Sequence, residues 1–385
     1  MTTQVKQDDI QKIPKLRFSE FSEEWEEKRL VDVFDNSRNK GNSELPIFSV
    51  TINNGLVSRD SLGRKIANAS NPNDNLYVGR KYLVYNMMRM WQGAVGIAEQ
   101  ECMVSPAYVA LKPKSNINSS FFIYYFERDR SLYLFESYSY GLTSDRLRLY
   151  YKDFGQIKFF KPTFSEQKKI TNFLTSADNW IENLKAQKEK LEKYKKGIMQ
   201  KIFSQEIRFK DENGKDFGEW EEKKLGEVCE KKSSSISANS LNNNFGGYKI
   251  YGASGEFKKV DFYQEEKACI SIVKDGAGVG RVLICEPKSS VLGTLDKIKP
   301  IKNINLYFLY CFLLQFRFEK YITGSTIPHI YFKDYKKIKI NLPSQSEQQK
   351  IANFFTSIDN LIEAKNKQIE KSEEWKKGLM QELFV

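Results

Sequence analysis

Two glycine-rich stretches hold the side chains best suited to reading a polar, anionic surface. The first runs Tyr85-Asn-Met-Met-Arg-Met-Trp-Gln-Gly-Ala-Val-Gly96, and the second Val273-Lys-Asp-Gly-Ala-Gly-Val-Gly-Arg281. Glycine has no Cβ and lets the backbone approach a phosphate closely, while Asn86, Arg89, Gln92 and Arg281 offer the bidentate edges that match adenine and guanine. A tight turn with a solvated face would use the same residue types. Two such loops at comparable places in one basic chain favour the binding reading.

The residues of turnover chemistry are missing. The chain has no G-x-x-x-x-G-K-[ST] loop, which removes an ATPase or helicase engine. Gly276-Ala-Gly-Val-Gly-Arg281 has a superficial likeness to a dinucleotide fingerprint. Arg281, however, stands where the third glycine belongs, and β-prone Val282-Leu-Ile-Cys285 follows instead of a helix. The single histidine, His329, lies in Thr326-Ile-Pro-His-Ile330 with no Ser or Cys nucleophile motif beside it. Five cysteines, at 102, 229, 269, 285 and 311, form no C-x-x-C pair, which excludes finger or ribbon zinc sites and reads as free thiols in a reducing cytosol. No two prolines are adjacent, so the [DN]-P-P-[YF] signature of amino-methyltransferases is absent. The chain is expected to bind no metal or cofactor and to catalyse nothing itself.

The elements that position the loops are written twice. Ile157 to Phe203 returns as Ile338 to Phe384 at a constant offset of 181 with roughly half the positions identical. Arg17-Phe18 followed by Trp25-Glu-Glu-Lys-Arg-Leu30 recurs as Arg208-Phe209 followed by Trp220-Glu-Glu-Lys-Lys-Leu225. A period near half the chain is too long for a solenoid and indicates a duplicated unit with internal two-fold pseudosymmetry. Within the repeat, Ile170, Leu174, Ala177, Ile181, Leu184, Lys188, Leu191, Lys195, Ile198 and Ile202 step by alternating fours and threes. Ile351, Phe355, Ile358, Ile362, Lys365, Ile369, Ser372, Lys376, Leu379 and Leu383 copy them. Such a heptad seam predicts helices of nearly forty residues, about 55–60 Å long, capped at Ser165 and Ser346 just after Pro162 and Pro343. A partner helix must cover each seam, and the other copy, running antiparallel, is the obvious one. Lys188 and Lys195 are expected to weaken the helix centre.

Before and between these helices, turn residues punctuate short β-prone runs. They include Leu45-Pro-Ile-Phe-Ser-Val50, Tyr82-Leu-Val-Tyr85, Ala107-Tyr-Val-Ala-Leu111, Ala268-Cys-Ile-Ser-Ile-Val273 and Arg281-Val-Leu-Ile-Cys285. Short apolar helices are expected at Phe121 to Glu127 and Leu306 to Gln315. The fold class is therefore mixed α/β (α+β), with two pseudosymmetric globular domains separated by an intramolecular antiparallel coiled coil. Outside the shared flanks the two domains have little sequence in common, which suggests that they recognise different things. A formal charge of +12 and 61 Lys and Arg against 49 Asp and Glu suit a polyanionic partner. No run is apolar and long enough to span a bilayer, and a cytoplasmic protein is expected.

On these residues the chain resembles the specificity subunit of Type I restriction-modification enzymes. The resemblance rests on the Pro162 and Pro343 segments with Glu166-Gln167 and Glu347-Gln348, on Asp178 and Asp359 of the long helices, and on the entry motifs ending at Trp25 and Trp220. Tyr251-Gly-Ala-Ser-Gly255, Gly276-Ala-Gly-Val-Gly-Arg281 and Gly293-Thr294 are similar to one type of target recognition domain, and Asn86, Arg89, Gln92-Gly93 and Ser105-Pro-Ala-Tyr108 to another. The resemblance implies target recognition domains at 14–162 and 206–343, with conserved spacer helices at 163–205 and 344–385. Each domain would read one half of a bipartite, asymmetric site in double-stranded DNA. The candidate DNA contacts are Asn86, Arg89, Trp91, Gln92, Gly93, Tyr108, Ser144 and Arg146 in the first half. In the second they are Tyr251, Ser254, Lys274, Asp275, Gly276, Arg281, Thr294, Thr326 and His329. Glu166, Gln167, Ile170, Asp178, Ile181, Leu184, Glu347, Gln348, Ile351, Asp359 and Ile362 are the candidates for the helix pair and for docking two modification subunits, which restriction subunits would join. S-adenosylmethionine, ATP and Mg2+ would be used by those partners. The alternatives are a pseudosymmetric coiled-coil adaptor that binds proteins, or an orphan specificity subunit without a restriction partner.

Overall fold

The β-branched and aromatic runs become strands and the apolar ones helices, as their periods dictate. The computed structural model describes residues 12–42, 44–63, 74–143 and 146–385, and the chain divides into two units, Met1–Leu184 with Gln368–Val385, and Lys185–Lys367. In unit 1 the order is β1 (Glu26–Arg29), α1 (Leu30–Val33), β2 (Phe34–Ser37), β3 (Ile47–Thr51), β4 (Gly55–Ser58), β5 (Leu76–Val78), β6 (Leu83–Asn86), β7 (Val95–Ile97), β8 (Cys102–Val104) and β9 (Tyr108–Pro113). There follow α2 (Ser119–Glu127), α3 (Asp129–Ser137), α4 (Tyr151–Phe154), β10 (Lys158–Lys161) and the long α5 (Phe164–Phe203), whose second half belongs to unit 2. Unit 2 continues with β11 (Glu221–Lys224), α6 (Leu225–Val228), β12 (Cys229–Ser233), β13 (Tyr248–Gly252), β14 (Gly255–Val260), β15 (Cys269–Val273), β16 (Val282–Cys285), β17 (Ser290–Val291) and β18 (Leu295–Pro300). It ends with α7 (Leu306–Gln315), α8 (Phe332–Tyr335), β19 (Lys339–Leu342) and α9 (Gln345–Glu382), the last turns of which belong to unit 1.

The two units share one topology although their central sequences diverge. Unit 1 has a sheet ordered β2-β9-β6-β7, and unit 2 has β12-β18-β15-β16 in the same places. A second sheet, β4-β3-β8-β5, is matched by β14-β13-β17, with the parallel pairs β3–β8 and β13–β17 in equivalent positions. The entry strand closes on the strand before each long helix, β1 with β10 and β11 with β19.

Each unit is built around an apolar core to which both long helices contribute. In unit 1 Trp25, Phe121, Phe122 and Phe154 pack with Ile170 and Leu174 of α5 and with Leu383 and Phe384 just past α9. In unit 2 Leu225, Ile270, Phe308 and Tyr335 pack with Met199 and Ile202 of α5 and with Ile351 and Phe355 of α9. In both units low-numbered residues of one helix meet high-numbered residues of the other, so the helices run antiparallel. All the seam positions read from the sequence, from Ile170 to Ile202 and from Ile351 to Leu383, are buried or half-buried. Burying large aliphatic side chains at about 25 cal/mol per Å² supplies what propensity alone would not for so long an isolated helix.

The helix starts differ from expectation. α5 begins at Phe164 and α9 at Gln345, and the amides of Glu166 and Glu347 donate to the hydroxyls of Thr163 and Ser344, both at 3.3 Å. The caps are thus Thr163 and Ser344, two positions before the serines that the sequence pattern favoured. The next residues do equivalent work in both copies. Arg17 donates to both carboxylate oxygens of Glu166 at 2.8 and 2.9 Å, and Arg208 to those of Glu347 at 3.2 and 2.8 Å. Gln167 donates to the Pro162 carbonyl and accepts from the Asn118 amide, and Gln348 does the same with Pro343 and Asn305. Glu166, Gln167, Glu347 and Gln348 are all buried. They tie each helix base to its own unit, and the helix surface is left to other residues.

Among the described residues, no helix is long and apolar enough to cross a membrane.

Candidate nucleic-acid interface

The two glycine-rich stretches are the same structural element. Residues 87–93, followed by Ala94, connect β6 to β7, and 274–280, followed by Arg281, connect β15 to β16. The Asn86 amide donates to the Ala94 carbonyl at 3.0 Å and the Val273 amide to the Arg281 carbonyl at 2.9 Å, so each loop closes on the same pair of rungs. Gly93 has φ of 85° and Gly280 one of 86°, a left-handed conformation that glycine adopts without penalty. Gly276 and Gly278 take it too, at 83° and 88°. Residues 274–280 therefore present bare backbone at Gly276 and Gly278, where 87–93 present Arg89 and Trp91.

A second segment leans on each loop. Between α3 and α4, Tyr140 and Arg148 pair as an antiparallel bridge, and between Tyr321 and α8, Thr323 and His329 do likewise. The residue after each bridge anchors it, the Leu149 amide donating to the Met87 carbonyl and the Ile330 amide to the Lys274 carbonyl, both at 2.9 Å. In unit 2 the Gly276 amide also donates to the Pro328 carbonyl, and Asp275 bridges His329. Loop and hairpin thus form one surface in each unit.

Side-chain contacts orient that surface in advance. In unit 1 the Asn86 carboxamide accepts from the Met88 amide at 3.0 Å, Arg89 Nη1 donates to Gln92 Oε1 at 3.1 Å, and the Trp91 indole donates to the Met88 carbonyl at 3.1 Å. Tyr108 lies opposite Asn86 in the β6–β9 register. Arg89 and Arg146 are exposed and Asn86, Trp91, Gln92, Gly93 and Tyr108 half-buried, whereas Ser144 lies outside the described residues. In unit 2 Arg281 is exposed and Nη1 donates to the Ala253 carbonyl at 2.7 Å, joining the loop to the β13–β14 turn that carries Ser254. Thr294 accepts from the Lys274 amide through its carbonyl at 2.9 Å and sits exposed beside the loop, as does Thr326 beside His329. Lys274 Nζ reaches the buried Asp296 at 3.6 Å, which fixes the ammonium at the loop's root.

Tyr251 is the residue whose placement departs from the sequence reading. The register of β13 against β14 shifts between Ile250 and Tyr251 and both are buried; Tyr251 is 8% exposed, its hydroxyl accepts from the Glu286 amide, and burial pushes its phenol above the ordinary range. It packs in a core cluster with Ile250, Val291 and Leu292.

Structure also adds Arg148 and the tyrosine pair Tyr150 and Tyr331, all exposed next to the hairpins. A signal for them existed. Leu149-Tyr-Tyr-Lys-Asp-Phe154 and Ile330-Tyr-Phe-Lys-Asp-Tyr335 stand at the same offset of 181 as the long repeat, which therefore starts earlier than the helices show.

Of the helix residues, Ile170, Ile181 and Leu184 are buried on α5 and Ile351 on α9, while Ile362 is half-buried. Asp178 accepts from the Tyr124 hydroxyl at 2.7 Å and pairs with Lys376 at 2.5 Å, and Asp359 pairs with Lys195 at 2.5 Å. The five cysteines are all buried, and Cys269 is held below the ordinary thiol range by its hydrogen bond with Cys285, which is itself pushed up. Burial pushes Cys102 up to about 11 and Cys229 and Cys311 up to about 12. Among the described residues no cluster of three His, Cys, Asp or Glu side chains could hold a metal ion.

The family described as the Type I restriction modification DNA specificity domain matches residues 22–193 and again 218–371. The Type I restriction enzyme MjaVIII specificity subunit of Methanocaldococcus jannaschii is 28% identical over 339 residues, covering 78% of each chain. Among solved structures, the S subunit of a Type I restriction-modification system from M. genitalium has a TM-score of 0.60 at 19% identity, covering 97% of this chain and 99% of that one. A chain solved in work on complex assembly and conformational transition of the type I R-M system has a TM-score of 0.58 at 15% identity, covering 94% and 97%. Matched in both of its units and over most of its length, the chain belongs to the Type I restriction-modification DNA specificity domain family.

Proposed function

We propose that each unit reads one half of a split, asymmetric sequence in double-stranded DNA, with its loop and hairpin entering the major groove. The observation that carries this reading is the pairing of one scaffold with two chemistries. Loops 87–93 and 274–280 occupy equivalent rungs of the equivalent sheets of the two units, yet one offers Arg89 and Gln92 and the other Lys274, Asp275 and three left-handed glycines. A frame that is kept while its exposed side chains change is what two different half-sites require, because base edges are distinguished by donor and acceptor pattern. The basic surface supplies the phosphate contacts that set register without carrying sequence.

In this reading the chain is the non-catalytic address of a larger cytoplasmic complex. Two modification subunits dock on the paired helices α5 and α9, and restriction subunits join that core. Adenine methylation from S-adenosylmethionine, and translocation and cleavage that consume ATP with Mg2+, reside in those partners. The helix pair sets the number of unread base pairs between the half-sites.

The test is a domain exchange. Replacing residues 20–155 with the matching segment of a relative, in a host that carries the full system, should change one half of the methylated sequence and leave the other intact. A change in both halves would overturn independent reading by the two units.

A further inference from the structure

We infer that the turn between β3 and β4, through Asn53 and Asn54, is a third base-reading element of unit 1 and recognises a base pair containing adenine. This deepens the proposed function and rests on it. Three observations converge on the turn.

Its place in the fold is the first. The β3–β4 turn is the topological counterpart of the β13–β14 turn, which Arg281 ties to the glycine loop through the Ala253 carbonyl and which exposes Ser254. Where unit 2 has Ala253-Ser254, unit 1 has Asn53-Asn54.

Proximity is the second. Asn53, Asn54 and Gly55 line one open groove of about 660 Å³ together with Gln92 and Gly93 of the loop. The approach depends on Gly96 of β7, where a Cβ would fall 2.1 Å from the Leu56 nitrogen. With no side chain at that position, the β3–β4 hairpin lies flat against β7 and brings the turn to the loop.

Chemistry is the third. The turn is held by a side chain of its own hairpin, with the Asn54 amide donating to Thr51 Oγ1 at 3.1 Å and Gly55 in the left-handed region at φ 59°. Both asparagines are exposed, and among the described residues neither carboxamide has a partner within the chain. A carboxamide is neutral and presents a donor and an acceptor side by side, which suits the N6 and N7 edge of adenine better than a phosphate, for which a cation is the stronger partner.

The experiment uses the full system and two variants, Asn53→Ala/Asn54→Ala and Asn53→Ser/Asn54→Ser, the second retaining turn-forming side chains. Methylated positions are mapped across the host genome, and binding of the assembled complex is measured on duplexes altered one base pair at a time. We expect one or two base pairs of a single half-site to become degenerate, with roughly 5- to 150-fold lost discrimination there. The half-site read by unit 2 should be unchanged, which also reports that the variants fold. An unaltered methylated sequence, or an equal loss on specific and random duplexes, would overturn the assignment. A wild-type complex that methylates no bipartite sequence would overturn the proposed function itself, and the assignment with it.

Discussion

Lys195 Nζ lies 2.5 Å from Asp359 Oδ1 across the seam between α5 and α9, and the contact has a copy. Lys376 and Asp178, each 181 residues from its counterpart, meet at the same 2.5 Å. The lysine that the heptad pattern marked as a weakness is thus answered by the opposite helix, while Lys188 is answered by Glu192 at 3.7 Å on its own helix. Lys195 and Asp359 retain 15% and 34% of their side-chain exposure, so solvent screens the pair. A double-mutant cycle with Lys195→Ala and Asp359→Ala, read by urea unfolding, should give a coupling of about 1 kcal/mol. The swap Lys195→Asp/Asp359→Lys should recover part of that loss. A coupling of zero would show that the copy is inherited without contributing stability.

The seam should not respond evenly to charge. Ile181 is 5% exposed, whereas its repeat partner Ile362 is half-buried at the lip of a groove shared with Lys195 and Arg317. Ile181→Asp is expected to cost several kcal/mol because nothing there pairs the carboxylate. Ile362→Asp should cost much less, since water and nearby cations reach it. Equal losses in denaturant midpoint would contradict the burial difference.

Arg89 and Arg281 stand at different points of equivalent β-turn connections and should each affect a different half-site. Arg89, aligned by Gln92, is a candidate for a bidentate base contact in one half-site, and Arg281, held to the Ala253 carbonyl, for the other. Either alanine variant should relax recognition of its own half-site by about 1–3 kcal/mol. If binding to random DNA falls equally and the salt dependence flattens, the residue belongs to the phosphate contacts.

Acid should release a buried ion cluster in unit 2. Glu265 is buried beside Lys297 at 2.8 Å and also pairs with Lys299. Burial alone would raise its carboxyl, but hydrogen bonds from the two lysines outweigh that and hold it below the ordinary range. With a depressed folded pKa, its contribution is full above the unfolded value of about 4.3 and is lost as pH falls through the folded one. Glu265→Ala should cost about 3–5 kcal/mol at neutral pH. That difference from wild type should shrink steadily in acid, as followed by unfolding free energy against pH. A difference independent of pH would assign the loss to packing.

The sequence by itself determined whatever is local or periodic. Duplication, the heptad seam from Ile170 to Ile202 and its copy, the helices at Phe121 and Leu306, and the β-runs around Tyr85 and Ile270 follow from side-chain spacing, which each segment carries within itself. The candidate loops were legible for the same reason, since glycines interleaved with arginine and amides form a local pattern.

Tertiary structure decided what depends on segments distant in the chain. Only the fold shows that loops 87–93 and 274–280 are one element, because the exposed side chains that would align them have diverged while the backbone rungs that equate them leave no sequence mark. It turned Tyr251 inward, set the caps at Thr163 and Ser344, and gave buried Glu166 to Arg17, 149 residues away. It also brought the β3–β4 turn to the loop by way of Gly96. A buried charge must find its counter-charge and a bare backbone its close neighbour, and which residue serves is settled by packing.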